Sequence, residues 1–341
     1  GHSVKIPHSC KSRFCSSCGK KATDVWIENS LNSLPNSKWQ HITFTMPSVL
    51  WDFFWVNRYL MNKAPAIAAG IIKQLSLQKR FIPGIYLAIH TFGRDLKRNF
   101  HIHLSCTLGG LSLTHDRWVP YAYFYHDTLK KMWRYQLIDL LRTEFKQGRL
   151  KLPPTLKNIR SYAEFCAWTS PLYEKTWVVH LNKQSDNPTA IIRYLGRYLK
   201  RPPIAETRIK AFDGKNVTYV YLDHYTDTVE TMVLPVMDFI ARLIAHIPDA
   251  YFRNIRYYGF LSHRTRTKLL PIVYNLLNQT KVVAKKGYIH WRQMIQNTFH
   301  YDPLTCKLCG AIMSMCYGVF PRSGPITQLH KEIANGYFQL L

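Results

Sequence analysis

The chain has 341 residues, 47% of them apolar, which is enough to bury a sizeable core and excludes wholesale disorder. Forty-six Lys and Arg against 20 Asp and Glu give a formal net charge of +26, which points to a polyanionic partner, nucleic acid foremost. No run of about 18 uncharged apolar residues is present, so no membrane span is expected.

Residues 1–24 hold few large apolar side chains but carry Cys10, Cys15 and Cys18. A segment without a core needs a staple, and thiolates at C-x-x-C spacing bite one zinc through a tight turn. Cys10, Cys15 and Cys18, with His8 as a further donor, are therefore read as Zn²⁺ ligands, and Lys11 and Arg13 as DNA contacts. Trp39–Met46 alternates and predicts a strand ended by Pro47. Val49–Asn62 and Ala64–Lys79 carry helical periodicity. Ile85–Phe92 and Phe100–Leu108 predict two strands of a hairpin around the polar loop Gly93–Asn99, the second stopped by Gly109-Gly110.

The hairpin carries the first chemical signal. In Phe100-His101-Ile102-His103-Leu104 the two histidines are two apart in a strand and project to one face. A loop centred between Leu96 and Lys97 sets His90 opposite His103, on the same face. Three converging imidazoles can hold one divalent ion with positions open for substrate. His41, on the first strand, is the reserve for the third ligand. The other reading is a chance pairing in a chain with 15 histidines.

Helices are predicted over Tyr125–Phe145, Ser161–Trp168 and Pro188–Lys200, the last capped by Asn187, with a strand at Trp177–Leu181. On the third helix Tyr194 and Tyr198 are four apart and stack on one side, within a collar of Arg193, Arg197, Lys200 and Arg201. Two phenols among cations suit attack on phosphodiesters, because cations hold phosphates and lower phenol pKa values. The competing reading is structural: Ile191, Tyr194, Leu195, Tyr198 and Leu199 also form an amphipathic stripe whose aromatics would be core.

Ile209–Phe212 and Val217–Leu222 flank Asp213-Gly214, a hairpin signal, and Pro235–Ile247 and Leu269–Leu277 read as helices. Aromatics mix with cations at Tyr251–Tyr258 and His263–Lys268, which suits stacking on unpaired bases. Near the end, Cys306 and Cys309, with Cys316 or His300, form a second candidate zinc knuckle, against a reading as small buried residues. Cys106 and Cys166 read as core. The expected class is α+β, a mainly antiparallel sheet with helices on one face. The expected domains are a zinc segment (1–24), a sheet domain (36–233, with a helical insertion at about 120–175) and a helical basic region (234–341).

His101-Ile102-His103 followed by Tyr194-x-x-x-Tyr198 resembles the two-tyrosine HUH endonucleases. Four stretches resemble the rolling-circle transposases of the insertion sequence 91 family in that family's order. They are Ser9–Gly19, His90-Thr91-Phe92-Gly93, Tyr194-Leu195-Gly196-Arg197-Tyr198 and Arg256–Leu261. The resemblance implies an HUH-type sheet. It implies Mg²⁺ or Mn²⁺ at His101 and His103, with His90 as third ligand, and 5′-phosphotyrosine intermediates. The partners it implies are single-stranded DNA of the element ends and target, in the cytoplasm at the nucleoid. The chain departs from the family at Asn99-Phe100, where relatives often carry His-Pro. It also opens where an upstream C-x-x-C would normally have passed, so its zinc segment is expected to be truncated. A plasmid relaxase or replication initiator, and a non-catalytic zinc-containing DNA-binding protein, are the alternatives.

Overall fold

The alternating runs near residues 40, 88 and 104 all become strands of one antiparallel sheet. The computed structural model describes residues 15–186, 188–199, 202–223, 226–249, 251–280 and 291–314, without the side chains of 197–199 and 291. In chain order the elements are α1 (Ser16–Ser33), β1 (Trp39–Phe44), α2 (Trp51–Val56), α3 (Leu60–Gln78), β2 (Phe81–Phe92), β3 (Arg98–Ser112) and β4 (Trp118–Pro120). They continue with α4 (His126–Lys146), α5 (Tyr162–Thr169), β5 (Val179–Leu181), α6 (Thr189–Leu199), β6 (Ile209–Phe212), β7 (Asn216–Leu222) and β8 (Val229–Pro235). The last are α7 (Val236–Ala245), β9 (Ile255–Gly259), α8 (Arg266–Leu276) and α9 (Trp291–Phe299). The described residues fall into two compact units, one within 9–288 and one that includes 291–314.

The larger unit is α+β. Its main sheet has the order β5-β1-β3-β2-β9, with β4 paired to the far end of β3. Strand parity divides the side chains between two faces. Ile42, Phe44, Ile85, Leu87, Ile89, Phe100, Ile102 and Leu104 form a core with Phe53 and Phe54 of α2, Ile72 of α3, Trp133 of α4 and Phe165 of α5. This is the expected helical layer. The opposite face carries Trp39, Tyr86 and Ala88, covered by α6 (Ile192, Leu195), α8 (Leu270, Val273) and Trp26 and Ile27 of α1. The second helical cover is the feature that brings α6 onto the histidine face.

Three local outcomes differ from the sequence reading, each for a physical reason. First, β3 does not stop at Gly109-Gly110; it runs to Ser112 and pairs with both β2 and β4 there. A Cβ on Gly110 would lie 2.1 Å from the Ile82 carbonyl, so these glycines allow close strand packing instead of ending it. Second, residues 16–33 form a helix where only a zinc segment was expected. Third, β9 lies beyond the boundary placed at 234, yet it pairs with β2 as the sheet's edge. Gly259 ends it with φ +61, and a Cβ there would sit 1.7 Å from the Pro83 carbonyl, so no other residue fits.

The hairpin predicted at Asp213-Gly214 forms, and β6-β7-β8 make a second sheet that packs with α7 through Tyr219, Val217 and Phe239. This small sheet grips the β2–β3 turn. Leu96, at φ +64, is buried in its core. Tyr219 donates to the Asp95 carbonyl (2.8 Å), His246 Nε2 to the Leu96 carbonyl (3.0 Å), and Arg208 to the Arg94 carbonyl. Thr91 bonds His246 Nδ1 at 3.2 Å. The hairpin that bears the histidines is thus fixed at its tip. No helix among the described residues is long and apolar enough to cross a membrane.

Candidate active site

His90, His101 and His103 come together on the sheet face beneath α6. One ring nitrogen from each lies within 4.8 Å of the others. Their ring centroids are 4.5–5.1 Å apart and the rings are steeply inclined, as around a shared centre. The register differs from the expected one: His90 pairs with His101, and Ala88 pairs with His103. The slip is two residues, which preserves parity and therefore the face; a slip of one would have turned His90 into the opposite core.

The surroundings favour ligation. Burial pushes His101 down to about 4 and His103 well below the usual histidine value, the latter aided by its histidine neighbours. Neutral imidazole is the form that binds metal. His101 Nδ1 donates to the Asn99 carbonyl at 2.9 Å, which leaves Nε2 as its lone pair. His103 Nδ1 faces His41 Nε2 at 3.1 Å and the Thr43 hydroxyl at 3.3 Å, and His41 Nδ1 faces the Ser105 hydroxyl at 3.0 Å. A consistent tautomer set runs His103 Nδ1–H to His41 Nε2 and His41 Nδ1–H to Ser105, which frees His103 Nε2 toward the cluster. His41 therefore stands behind His103. Burial, with a smaller contribution from His180, lowers its pKa to about 4 and keeps it neutral for that role.

Tyr194 stands over this group. Its ring lies 5.8 Å from His41 and 6.2 Å from His103, edge-on to both. The amphipathic stripe of α6 is real, since Ile192 and Leu195 are fully buried, but Tyr194 is only partly so. Gly196 explains how α6 can lie so close: a Cβ there would meet Ile27 of α1 at 2.6 Å. Beside Tyr194 a cleft of about 340 Å³ opens, bordered by His41, Asn182, Lys183 and Gln184.

The remaining sequence calls are scattered. Arg193 is exposed on the α1 side of α6, in a groove with Asp24 and Glu28, and not beside the histidines. The Tyr198 and Arg197 side chains, Lys200 and Arg201, His8, Cys10, Lys11 and Arg13, the Asn187 cap, and Cys316 lie outside the described residues. Cys15 is the N-cap of α1, its sulfur 3.5 Å from the backbone N–H of Cys18, so both thiols share one turn. Cys106 is buried as expected, whereas Cys166 is only half-buried. Of the aromatic–basic stretch, Tyr257 is held by Trp26 at 3.0 Å, Tyr258 packs on the core and Arg256 bonds Asn62; Tyr251 is the exposed tyrosine, and Arg253, His263, Arg264 and Lys268 are exposed as well. Sequence reasoning missed His180, which pairs across from Thr43 on the histidine face. Its strand reads clearly in the sequence, but the β1–β5 pairing that places it does not.

Residues 84–268 match the family model described as a putative transposase, and residues 1–46 match a transposase zinc-binding domain. The chain is 35% identical over 313 residues to the transposase for insertion sequence element IS801 of Pseudomonas savastanoi pv. phaseolicola, covering 92% of this chain and 75% of that protein. The chain belongs to the insertion sequence 91 family of transposases. It is also 26% identical over 288 residues to the putative transposase y4qJ of Sinorhizobium fredii (strain NBRC 101917 / NGR234), covering 82% of this chain and 72% of that one. No solved structure matches the chain significantly. The transposase is thus a DNA-processing enzyme with an N-terminal zinc-binding domain, and its largest family match spans both the histidine hairpin and α6.

Proposed function

We propose that this transposase cuts and rejoins single-stranded DNA at the histidine face, with Tyr194 as the leading nucleophile and rolling-circle transposition as the outcome. The observation that carries the reading is the placement of a tyrosine ring edge-on to His41 and His103, beside three imidazoles with convergent nitrogens. The donor set fits a divalent ion held by His90, His101 and His103, and an all-imidazole set favours Mn²⁺ over Mg²⁺. Such an ion would polarise the scissile phosphate and stabilise the charge that builds on it.

The phenol oxygen of Tyr194 attacks phosphorus, the bond to the 3′-oxygen breaks, and a 5′-phosphotyrosine forms. The phenol gives up its proton and the departing 3′-oxygen gains one, so the step is balanced without an external energy source. Attack by a 3′-hydroxyl on the phosphotyrosine reverses it and rejoins strands. Tyr198, one helical turn along, serves a second strand while the first remains attached. The cleft beside Tyr194, with Lys183 and Gln184 on its rim, takes the strand into the site. Cys10, Cys15 and Cys18 serve the N-terminal zinc. The cations near Tyr198 and at Lys11 and Arg13 hold DNA phosphates. In domain terms, residues 1–24 are the zinc segment and 36–233 the nuclease, with α4 and α5 as its insertion and β9 closing its sheet from the C-terminal region.

The test incubates labelled single-stranded oligonucleotides carrying element ends with protein and Mn²⁺, followed by a denaturing gel. Wild type should give a covalent protein–DNA band, which Tyr194→Phe loses at the first cleavage and the Tyr194→Phe, Tyr198→Phe double variant loses altogether. His101→Ala should bind DNA yet form no adduct. A covalent band of undiminished intensity in the double variant would sink the phosphotyrosine reading.

A further inference from the structure

We propose that Cys306 and Cys309 hold a second zinc ion, separate from the N-terminal zinc-binding domain. The segment Thr305-Cys306-Lys307-Leu308-Cys309-Gly310-Ala311-Ile312 is folded as a tight knuckle. Cys306 N–H donates to the Ala311 carbonyl and Gly310 N–H to the Cys306 carbonyl, both at 2.9 Å, and Thr305 bridges Ile312. Gly310 takes φ +72, which turns the chain immediately after the second thiol. Backbone N–H groups of Cys309 and Leu308 point at the Cys306 sulfur. Amides aimed at a sulfur stabilise a thiolate, and the thiolate is the ligand form.

The knuckle has little else to hold it. Leu308 and Ile312 are 79% and 77% exposed, and Cys309 is exposed too, so burial does not explain the second cysteine. A two-stranded hairpin of this size is marginal in water without a staple. Its base is tied to α9 by a forked ion pair from Arg292 to Asp302, whose carboxylate also accepts from Leu304 N–H at 3.0 Å. Paired thiolates at this spacing select zinc over harder ions. His300, the residue after α9, does not join them in a three-donor group. Among the described residues only His90, His101 and His103 form a three-donor group.

The experiment measures zinc per chain by elemental mass spectrometry on protein purified reduced from zinc-supplemented culture. Cys306→Ser/Cys309→Ser should lose about one zinc per chain relative to wild type. Cys309→Ser alone, which removes an exposed sulfur and no packing, should lose the same amount, while Cys106→Ser should lose none. In wild type, alkylation of Cys306 and Cys309 should be slow until a chelator is added. Unchanged zinc content in both knuckle variants, or alkylation at equal rates with and without chelator, overturns the proposal.

Discussion

His41 offers the sharpest test of how the histidine face is built, because it stands behind His103 and sets that ligand's tautomer. It is buried, and its Nε2 lies 3.1 Å from His103 Nδ1. In His41→Ala, His103 Nδ1 loses its shorter contact and keeps the longer one to Thr43 at 3.3 Å, which weakens the hold on the tautomer that turns the lone pair to the metal. Losing a partner of this kind typically weakens metal binding about 10–100-fold, or roughly 1.4–2.8 kcal/mol. His41→Gln places an amide oxygen near the lost Nε2 and should recover most of that. His41→Lys, a donor without an acceptor, should be worse than Ala. The assay is Mn²⁺ titration followed by electron paramagnetic resonance, paired with covalent-adduct formation across Mn²⁺ concentrations. The Ala variant should need more Mn²⁺ and approach wild-type adduct levels once saturated. Equal Mn²⁺ affinity in wild type and the Ala variant, with thermal unfolding confirming both are folded, would refute the assigned hydrogen-bond chain.

Other expectations follow from single features. Glu144 is buried against Arg149 and Lys63, and these partners, Arg149 foremost, hold its carboxyl down to about 2. A depressed carboxyl stabilises the fold above its unfolded value near 4.3 and loses that contribution as pH falls toward the folded one. Glu144→Gln should therefore lower Tm at neutral pH, and the gap to wild type should close between about pH 4.5 and 2; a gap independent of pH would contradict the ion-pair account. Gly259→Ala should destabilise by about 1–3 kcal/mol from left-handed backbone strain and the clash with the Pro83 carbonyl, read as a drop in Tm. Gly196→Leu should loosen α6 from α1 and cut adduct formation more than DNA binding, measured by gel and by fluorescence anisotropy. DNA affinity should fall steeply between about 50 and 200 mM salt, as it does for proteins making several phosphate contacts; a flat salt response would set the +26 charge aside as the source of binding.

Much of the local structure was legible from residue order. Two-residue alternation fixed β1, β2 and β3 and put His101 and His103 on one side, since parity in a strand needs no tertiary information. Four-residue spacing likewise set Tyr194 and Tyr198 on one stripe of α6, and the helix read at Ser161–Trp168 forms as α5. The charge and the cysteine spacing pointed to DNA and zinc without any fold at all. Tertiary structure decided the rest. Strand pairing is a long-range choice, so the His90–His101 register, the return of β9 to the sheet edge and the arrival of His180 opposite Thr43 depended on partners distant in the chain. The helix at 16–33 was hidden because its stability comes from packing against α6 and the sheet, not from a strong stripe of its own. The competition between Tyr194 as core and Tyr194 as nucleophile could not be resolved by a helical wheel, which shows which residues share a face but not what that face meets. It meets His41 and His103, because Ile192 and Leu195 seat α6 on the sheet face that carries them.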